Sequence, residues 1–299
     1  MQSLWMIGNQ IYRIRVWREA HRLIVFLVRG RLHHKKLVKL DTFFSSAPEL
    51  RRIADSYPFV YEQPTRAFFY KDSTFDERVR LVEHHMQFLL EALRPDVAVG
   101  LYQKEEQLLW QQELAGADTQ CYLSFHPGQR KEGLLSIWLR QGDASLYQIM
   151  FWLDKDRAGE WSCYIGAMQG PNMDDARDVI KRMTKACFGF RTKNLILYLL
   201  QALVRTLGIR HIYAVTNAGY YAQNHVRRDR KLKTSFSDFW LEAGGRHTDD
   251  YRFDELPLAE PRKAIEDVKS QKRNLYRKRY ALLDAVDEAV EAHVRALMR

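Results

Sequence analysis

Four short apolar stretches, 121–125, 134–140, 146–153 and 161–168, follow one another along this chain with turn-rich pieces between them. The breaks hold His126-Pro127-Gly128, Gln141-Gly142-Asp143 and residues 154–159. Leu135, Ile137 and Leu139 alternate with Ser136 and Trp138, which is the period of a strand. Strands joined by short turns pair antiparallel with their chain neighbours. The segment therefore predicts a four-stranded antiparallel meander, closed by a turn at Gln169-Gly170-Pro171-Asn172.

Helical patterns flank it on both sides. Pro48 sits in the first turn of a helix over 47–53, and 75–93 carries Val79, Val82, Met86 and Leu89 at three-and-four spacing until Leu93-Arg94-Pro95 stops it. His84 and His85 are adjacent, point to different sides of that helix, and hold no common metal. After the meander, 174–187 opens on paired acids, and 193–207 carries Leu195, Leu199, Ala202 and Leu203 on one face before Gly208 caps it. Residues 211–216 read as a strand, 220–232 as a basic helical piece, and 236–243 as a second strand before Gly244-Gly245. From Pro261 no Gly or Pro interrupts the chain, and Leu283, Val286, Val290, Val294 and Leu297 form a helical stripe. The expected fold class is α+β: a basic helical N-terminal region (1–118), a mixed, mostly antiparallel sheet domain with flanking helices (119–260), and a long C-terminal amphipathic helix packed on it (261–299).

Composition narrows the class. With 46% hydrophobic residues and 12% aromatics in 299, the chain is neither disordered nor fibrous. Cys121, Cys163 and Cys187 lack any C-x-x-C spacing, which argues against a disulfide framework or a zinc site and for a reducing, cytoplasmic compartment. The apolar run Leu23–Val28 falls far short of the roughly 20 residues of a membrane span. A net charge of +10 is concentrated early: Arg13, Arg15, Arg18, Arg22, Arg29, Arg31, Lys35, Lys36 and Lys39 face only Glu19. Ile11, Ile14, Trp17, Ile24, Leu27 and Val28 interleave with them at helical spacing. That stripe is either core, with the cations solvated, or the apolar side of a helix drawn to an anionic bilayer. Nucleic acid is a weaker partner, since no helix-turn-helix, RRM or KH pattern accompanies the charge.

The familiar catalytic signatures, Walker A, G-x-G-x-x-G, H-E-x-x-H and G-x-S-x-G, are missing. Two regions carry chemistry instead. Lys185, Gly189, Arg191, Lys193 and Asn194 lead into an apolar helix, so free backbone N–H groups and two cations would gather where an anion can sit. Read as a strand, 235–243 places Asp238, Trp240 and Glu242 on one face, two carboxylates beside large aromatics. They are equally suited to pairing with the many arginines. On the final helix, Lys272, Arg273, Arg277 and Arg279 make a dense cationic face suited to anions.

The ordered combination of Ile165-Gly166-Ala167-Met168-Gln169-Gly170, Thr184-Lys185, Gly189-Phe190-Arg191, Phe239-Trp240-Leu241-Glu242-Ala243-Gly244-Gly245 and residues 272–280 resembles the bacterial VirK/YbjX family over roughly 30–285. Thr192 departs from it, standing where a Pro is expected after the Arg. The resemblance implies a setting: Gram-negative envelope remodelling and resistance to cationic antimicrobial peptides. The order of elements is also similar to the GNAT acyltransferase layout. That analogy implies an acyl-CoA or acyl-carrier thioester donor whose phosphates are held by Gln169, Gly170, Lys185, Gly189, Arg191, Lys193 and Asn194. Glu242 or Asp238 would then deprotonate the acceptor, and Tyr220 or Tyr221 would protonate the leaving thiolate, with no metal. Trp240 and the helical cations would face a lipid or glycolipid substrate at the cytoplasmic membrane face. The other expectation is a non-catalytic peripheral protein that binds anionic lipid or an envelope-assembly partner.

Overall fold

The computed structural model describes residues 3–224 and 235–299. Six helices come first: α1 (Leu4–Ile11), α2 (Trp17–Leu32), α3 (His34–Phe44), α4 (Pro48–Ser56), α5 (Phe75–Ala92) and α6 (Pro95–Tyr102). Three of the starts have a plain local cause. Pro48 and Pro95 preset the first turns of α4 and α6. Thr74 and Glu77 close a reciprocal capping box on α5.

The sheet then follows as β1 (Gln107–Leu114), β2 (Ala117–Ser124), β3 (Leu135–Gln141), β4 (Ala144–Lys155) and β5 (Trp161–Gln169). All four successive pairings are antiparallel. Next come α7 (Ala176–Ala186) and α8 (Thr192–Thr206), β6 (His211–Val215), α9 (Phe236–Glu242), β7 (Arg246–His247), β8 (Phe253–Leu256) and α10 (Ser270–Leu297). The sheet runs β1-β2-β3-β4-β5-β6-β8-β7, and its parallel joint lies between β5 and β6. The expected α+β class is what the structure shows, with the meander one strand longer than the sequence predicts.

β1 escapes the pattern because its apolar residues Leu108, Leu109 and Trp110 are consecutive and glutamines surround them. Its hairpin turn, Ala115-Gly116, has both residues at positive φ, 54° and 78°. That is the two-residue turn geometry that matches strand twist. The hairpin β1–β2 pairs Gln107 with Leu123 through Leu114 with Ala117, so it straddles the 118/119 boundary. One hydrophobic core takes in Leu40 and Phe44 of α3, Ile149 and Leu153 of β4, and Val286 and Val290 of α10.

Segment 236–243 is a correction: it is helix, not strand. Ser235 Oγ accepts the Asp238 N–H as an N-cap, and Phe236, Phe239 and Trp240 are buried at i, i+3 and i+4. Seven residues are too few to separate a period of 3.6 from a period of two. For the helical reading of 220–232, Tyr220 makes an isolated bridge, Tyr221–Asn224 form a 3-10 turn, and 225–232 lies outside the described residues.

α8 is buried from Leu195 to Val204 and lies between the sheet and α10, which contributes Leu283, Val286, Val290 and Val294. On α5 the two histidines diverge as expected. His85 is fully buried: the Leu153 N–H donates to its Nδ1 at 3.0 Å, leaving Nε2–H for the Tyr102 hydroxyl at 3.1 Å. Tyr102 donates onward to the Leu134 carbonyl at 3.0 Å. Burial pushes the His85 imidazole down to about 3, so it is neutral.

Candidate functional site

Of the residues nominated for an anion site, Arg191 and Lys193 come together, on the carboxylate of Glu242. Arg191 precedes α8 and Lys193 lies in its first turn; their side chains take opposite oxygens of Glu242 at the end of α9, at 2.6 and 3.0 Å. The two hydrogen bonds hold the Glu242 carboxyl below its ordinary range. Lys193 also sits 4.4 Å above the Phe239 ring. The carboxylate is thus shared by two cations, and the cluster keeps one positive charge in excess. Behind them Gly189, at φ 78°, leaves room for the Arg279 guanidinium, which donates to the Phe188 carbonyl at 2.8 and 3.1 Å. Gly170 lies against the Tyr147 ring, while Lys185 and Gln169 are exposed. Asn194 Oδ1 and Thr192 Oγ1 are buried without a partner.

Other nominated residues lie elsewhere. Trp240 is in the core, its indole N–H donating to the Val215 carbonyl at 2.9 Å. Asp238 is exposed in the first turn of α9. Tyr220 bridges Tyr70 and donates to Glu132 at 2.6 Å. Burial raises both the Tyr220 hydroxyl and the Glu132 carboxyl. Tyr221 packs against Phe68 and Tyr220. Of the C-terminal cations, Arg273 donates to the carbonyls of Val268 and Glu266, whereas Lys272 and Arg277 are exposed.

A second neighbourhood was invisible in the sequence. Trp152, Tyr164, Tyr213 and Glu255 are register partners across β4, β5, β6 and β8. Their rings stack: Trp152 on Tyr164 at 5.5 Å and 8°, Tyr164 on Tyr213 at 5.1 Å and 29°. Two adjoining hollows of about 610 and 380 Å3 share Asp156, Arg157, Tyr164, Asp250 and Phe253 as walls. His211 stacks beside Tyr213 and lies 3.0 Å from Glu255 and 3.2 Å from Glu160, which raise its imidazole above the ordinary range. Only strand pairing brings these residues together, so no local pattern announces them.

The N-terminal helices form a third surface. α2 buries Leu23, Phe26 and Gly30 on its inner side, where Leu23 and Gly30 meet Gly8 and Leu4 of α1. Its outer side is apolar too: Trp17, Ile24, Val28 and Leu32 are 85%, 58%, 55% and 75% exposed. Trp5, Met6, Ile14 and Val16 are also exposed. The stripe predicted at this end is therefore divided, with Ile11 in the core and Trp17, Ile24 and Val28 outside it. At the α2–α3 corner a hollow of about 630 Å3 is lined by Arg31, Leu32, His33, His34, Lys35 and Lys36. Among the described residues, Arg15, Arg18, Arg31 and Lys35 are exposed and in no ion pair.

A family model described as "Protein of unknown function (DUF535)" matches residues 15–292. An uncharacterized protein of Haemophilus influenzae is 24% identical over 289 residues, 96% of this chain and 94% of its own. YbjX of Escherichia coli is 26% identical over 265 residues, 87% of this chain and 80% of its own. A protein of Mannheimia haemolytica named "Membrane protein LapB" is 24% identical over 190 residues, 64% of this chain and 80% of its own. No solved structure matches.

Proposed function

The chain belongs to the DUF535 family and has YbjX and LapB among its relatives, and from that premise we propose that it is a peripheral protein that docks on an anionic bilayer through α1, α2 and the α2–α3 corner. The observation that carries this reading is the outer row Trp17, Ile24, Val28 and Leu32, which no described residue covers. Large apolar side chains in one patch, with a Trp at its end and unpaired cations beside it, have the chemistry of an interfacial helix. Each Lys or Arg brought near an anionic leaflet adds about 1 kcal/mol, which favours lipid over an apolar protein partner. None of the described helices is long and apolar enough to cross a membrane, so attachment would be from one side. The name of the Mannheimia relative agrees with membrane association.

Acyl transfer from a thioester has weaker support. Arg191 and Lys193 would have to release Glu242 before they could hold a donor's phosphates. Glu242 itself, lowered by those two cations, is a poor base.

Co-sedimentation with vesicles tests the docking. The full chain is expected to bind vesicles containing phosphatidylglycerol and to bind pure phosphatidylcholine far less. Neutralising Arg15, Arg18, Arg31 and Lys35 together should weaken binding by at least about 100-fold. Trp17→Ser with Leu32→Ser should do likewise without altering thermal unfolding. Equal binding by these variants and the parent chain would reject the proposal.

A further inference from the structure

The aromatic groove offers a site of its own, independent of bilayer docking. Two of its oxygens keep spare hydrogen-bonding capacity. Asp156 has a side chain only 8% exposed, and its Oδ1 accepts the turn N–H groups of Ala158 and Glu160 at 2.9 and 3.0 Å. Its Oδ2 takes a single long hydrogen bond among the described residues, from the Tyr213 hydroxyl at 3.5 Å, with His211 Nε2 at 4.0 Å, and so keeps capacity for a further donor. Tyr164, which walls both hollows, has a hydroxyl with no hydrogen bond among the described residues. By contrast, Asp154 and Asp250, which also line the hollows, are engaged. Asp154 takes His84 at 2.6 Å, and Asp250 takes Arg252 in a fork at 2.7 and 2.8 Å.

Cations surround the mouth. Arg157 is 81% exposed, and its one ion pair among the described residues is a loose one with Asp250 at 3.8 Å. Arg246 reaches Glu255 at 3.3 Å with most of its side chain in solvent, and Arg80 stands 4.0 Å from Asp154. The groove is therefore acidic at its floor, basic at its rim and aromatic along its wall. A ligand of one charge sign would match one of these layers and oppose the other. A zwitterion matches both, and each hollow has the volume of a small-molecule site.

We propose that this groove binds a small amino-phosphate zwitterion, its ammonium on Asp156 beside the Tyr164 hydroxyl and its phosphate on Arg157 and Arg246. Ammonium N–H groups would add short, charge-assisted donors to Asp156 Oδ2, and the guanidinium groups match phosphate oxygens. The same headgroup chemistry occurs free in solution and on a lipid.

Titration calorimetry on the full chain tests this with O-phosphoethanolamine, ethanolamine, inorganic phosphate, glucose and a dispersed short-chain phosphatidylethanolamine. The zwitterion is expected to bind at least about tenfold more tightly than either half or than glucose. Asp156→Asn, which can keep the turn hydrogen bonds, and Arg157→Ala should each weaken it about tenfold with thermal unfolding unchanged. Tyr164→Phe should weaken it less. Binding of the soluble probe alone assigns a free ligand, and binding of the lipid alone assigns a lipid headgroup. No heat with either, equal binding of a half-molecule or of glucose, or indifference to both Asp156→Asn and Arg157→Ala overturns the proposal. Because no anionic vesicle enters the experiment, its failure leaves bilayer docking untouched.

Discussion

Two buried polar residues show what a single position contributes. Glu62 is almost inaccessible, yet it accepts from Tyr12, from Arg130 at 2.7 Å and pairs with Arg66 at 3.5 Å, fastening the N-terminal helices to the loop before β3. His85 is neutral inside the core, and its folded value of about 3 lies below the ordinary 6.5. The unfolded chain therefore binds a proton there before the folded one does. Its contribution is present above pH 6.5 and is lost as pH falls toward about 3. Lowering pH from 6.5 to 5 should cost about 2 kcal/mol of stability through this group. Urea unfolding across that range should show the slope, and His85→Gln should flatten it; an unchanged slope would mean that His85 is not its source. Neither residue could be picked out in the sequence, because burial and distant partners give them their character. Gly166 is different. It falls in the string that carried the family resemblance, and a Cβ there would stand 1.8 Å from the Glu132 carbonyl oxygen.

At the level of elements, legibility followed length. β2 to β5, α5, α7 and α8 could be read because apolar periodicity and end signals agree over enough residues. α9 could not, since its seven residues satisfy both periods and the deciding information is the Ser235 cap. Replacing that cap, Ser235→Ala, should cost about 1 kcal/mol, measured as a lowered urea midpoint with unchanged slope. Asn217 Nδ2 also donates to Ser235 Oγ at 2.8 Å, so the loss should not fall below that figure. A midpoint that did not move would mean that packing of Phe236, Phe239 and Trp240 alone sets the helix. α2 was half legible: its spacing announced an amphipathic helix, but a helix apolar on two sides needs the structure to tell core from surface. The candidate site followed the same division. The Arg191, Lys193 and Glu242 cluster was approached through its residues, although the strand reading misplaced Glu242, whereas the groove arises only from cross-strand register.

On the scale of the whole molecule, the core is shared among regions far apart in the chain. α10 packs on α8 and on β1, Leu93 bridges Met298, and the Arg299 N–H donates to the Ala92 carbonyl at 3.2 Å. A fragment limited to 119–260 would lose β1, α5 and α10 and expose the apolar faces that cover β4 and α8. Expressed alone, it is expected to lack a cooperative thermal transition by calorimetry; a sharp two-state transition would show that it folds without them. The parallel joint between β5 and β6 also governs the order of assembly. The hairpins from β1 to β5 close over short stretches of chain. Pairing Ser162 with His211 must wait for the crossover through α7 and α8. Non-local closure of that kind is slow. The half of the groove built on Trp152 and Tyr164 can therefore form early in refolding, while Tyr213, His211 and Glu255 arrive last. Competence of the groove to hold a ligand should then lag behind bulk secondary structure, so that a newly made chain spends an interval folded in outline with its groove unfinished.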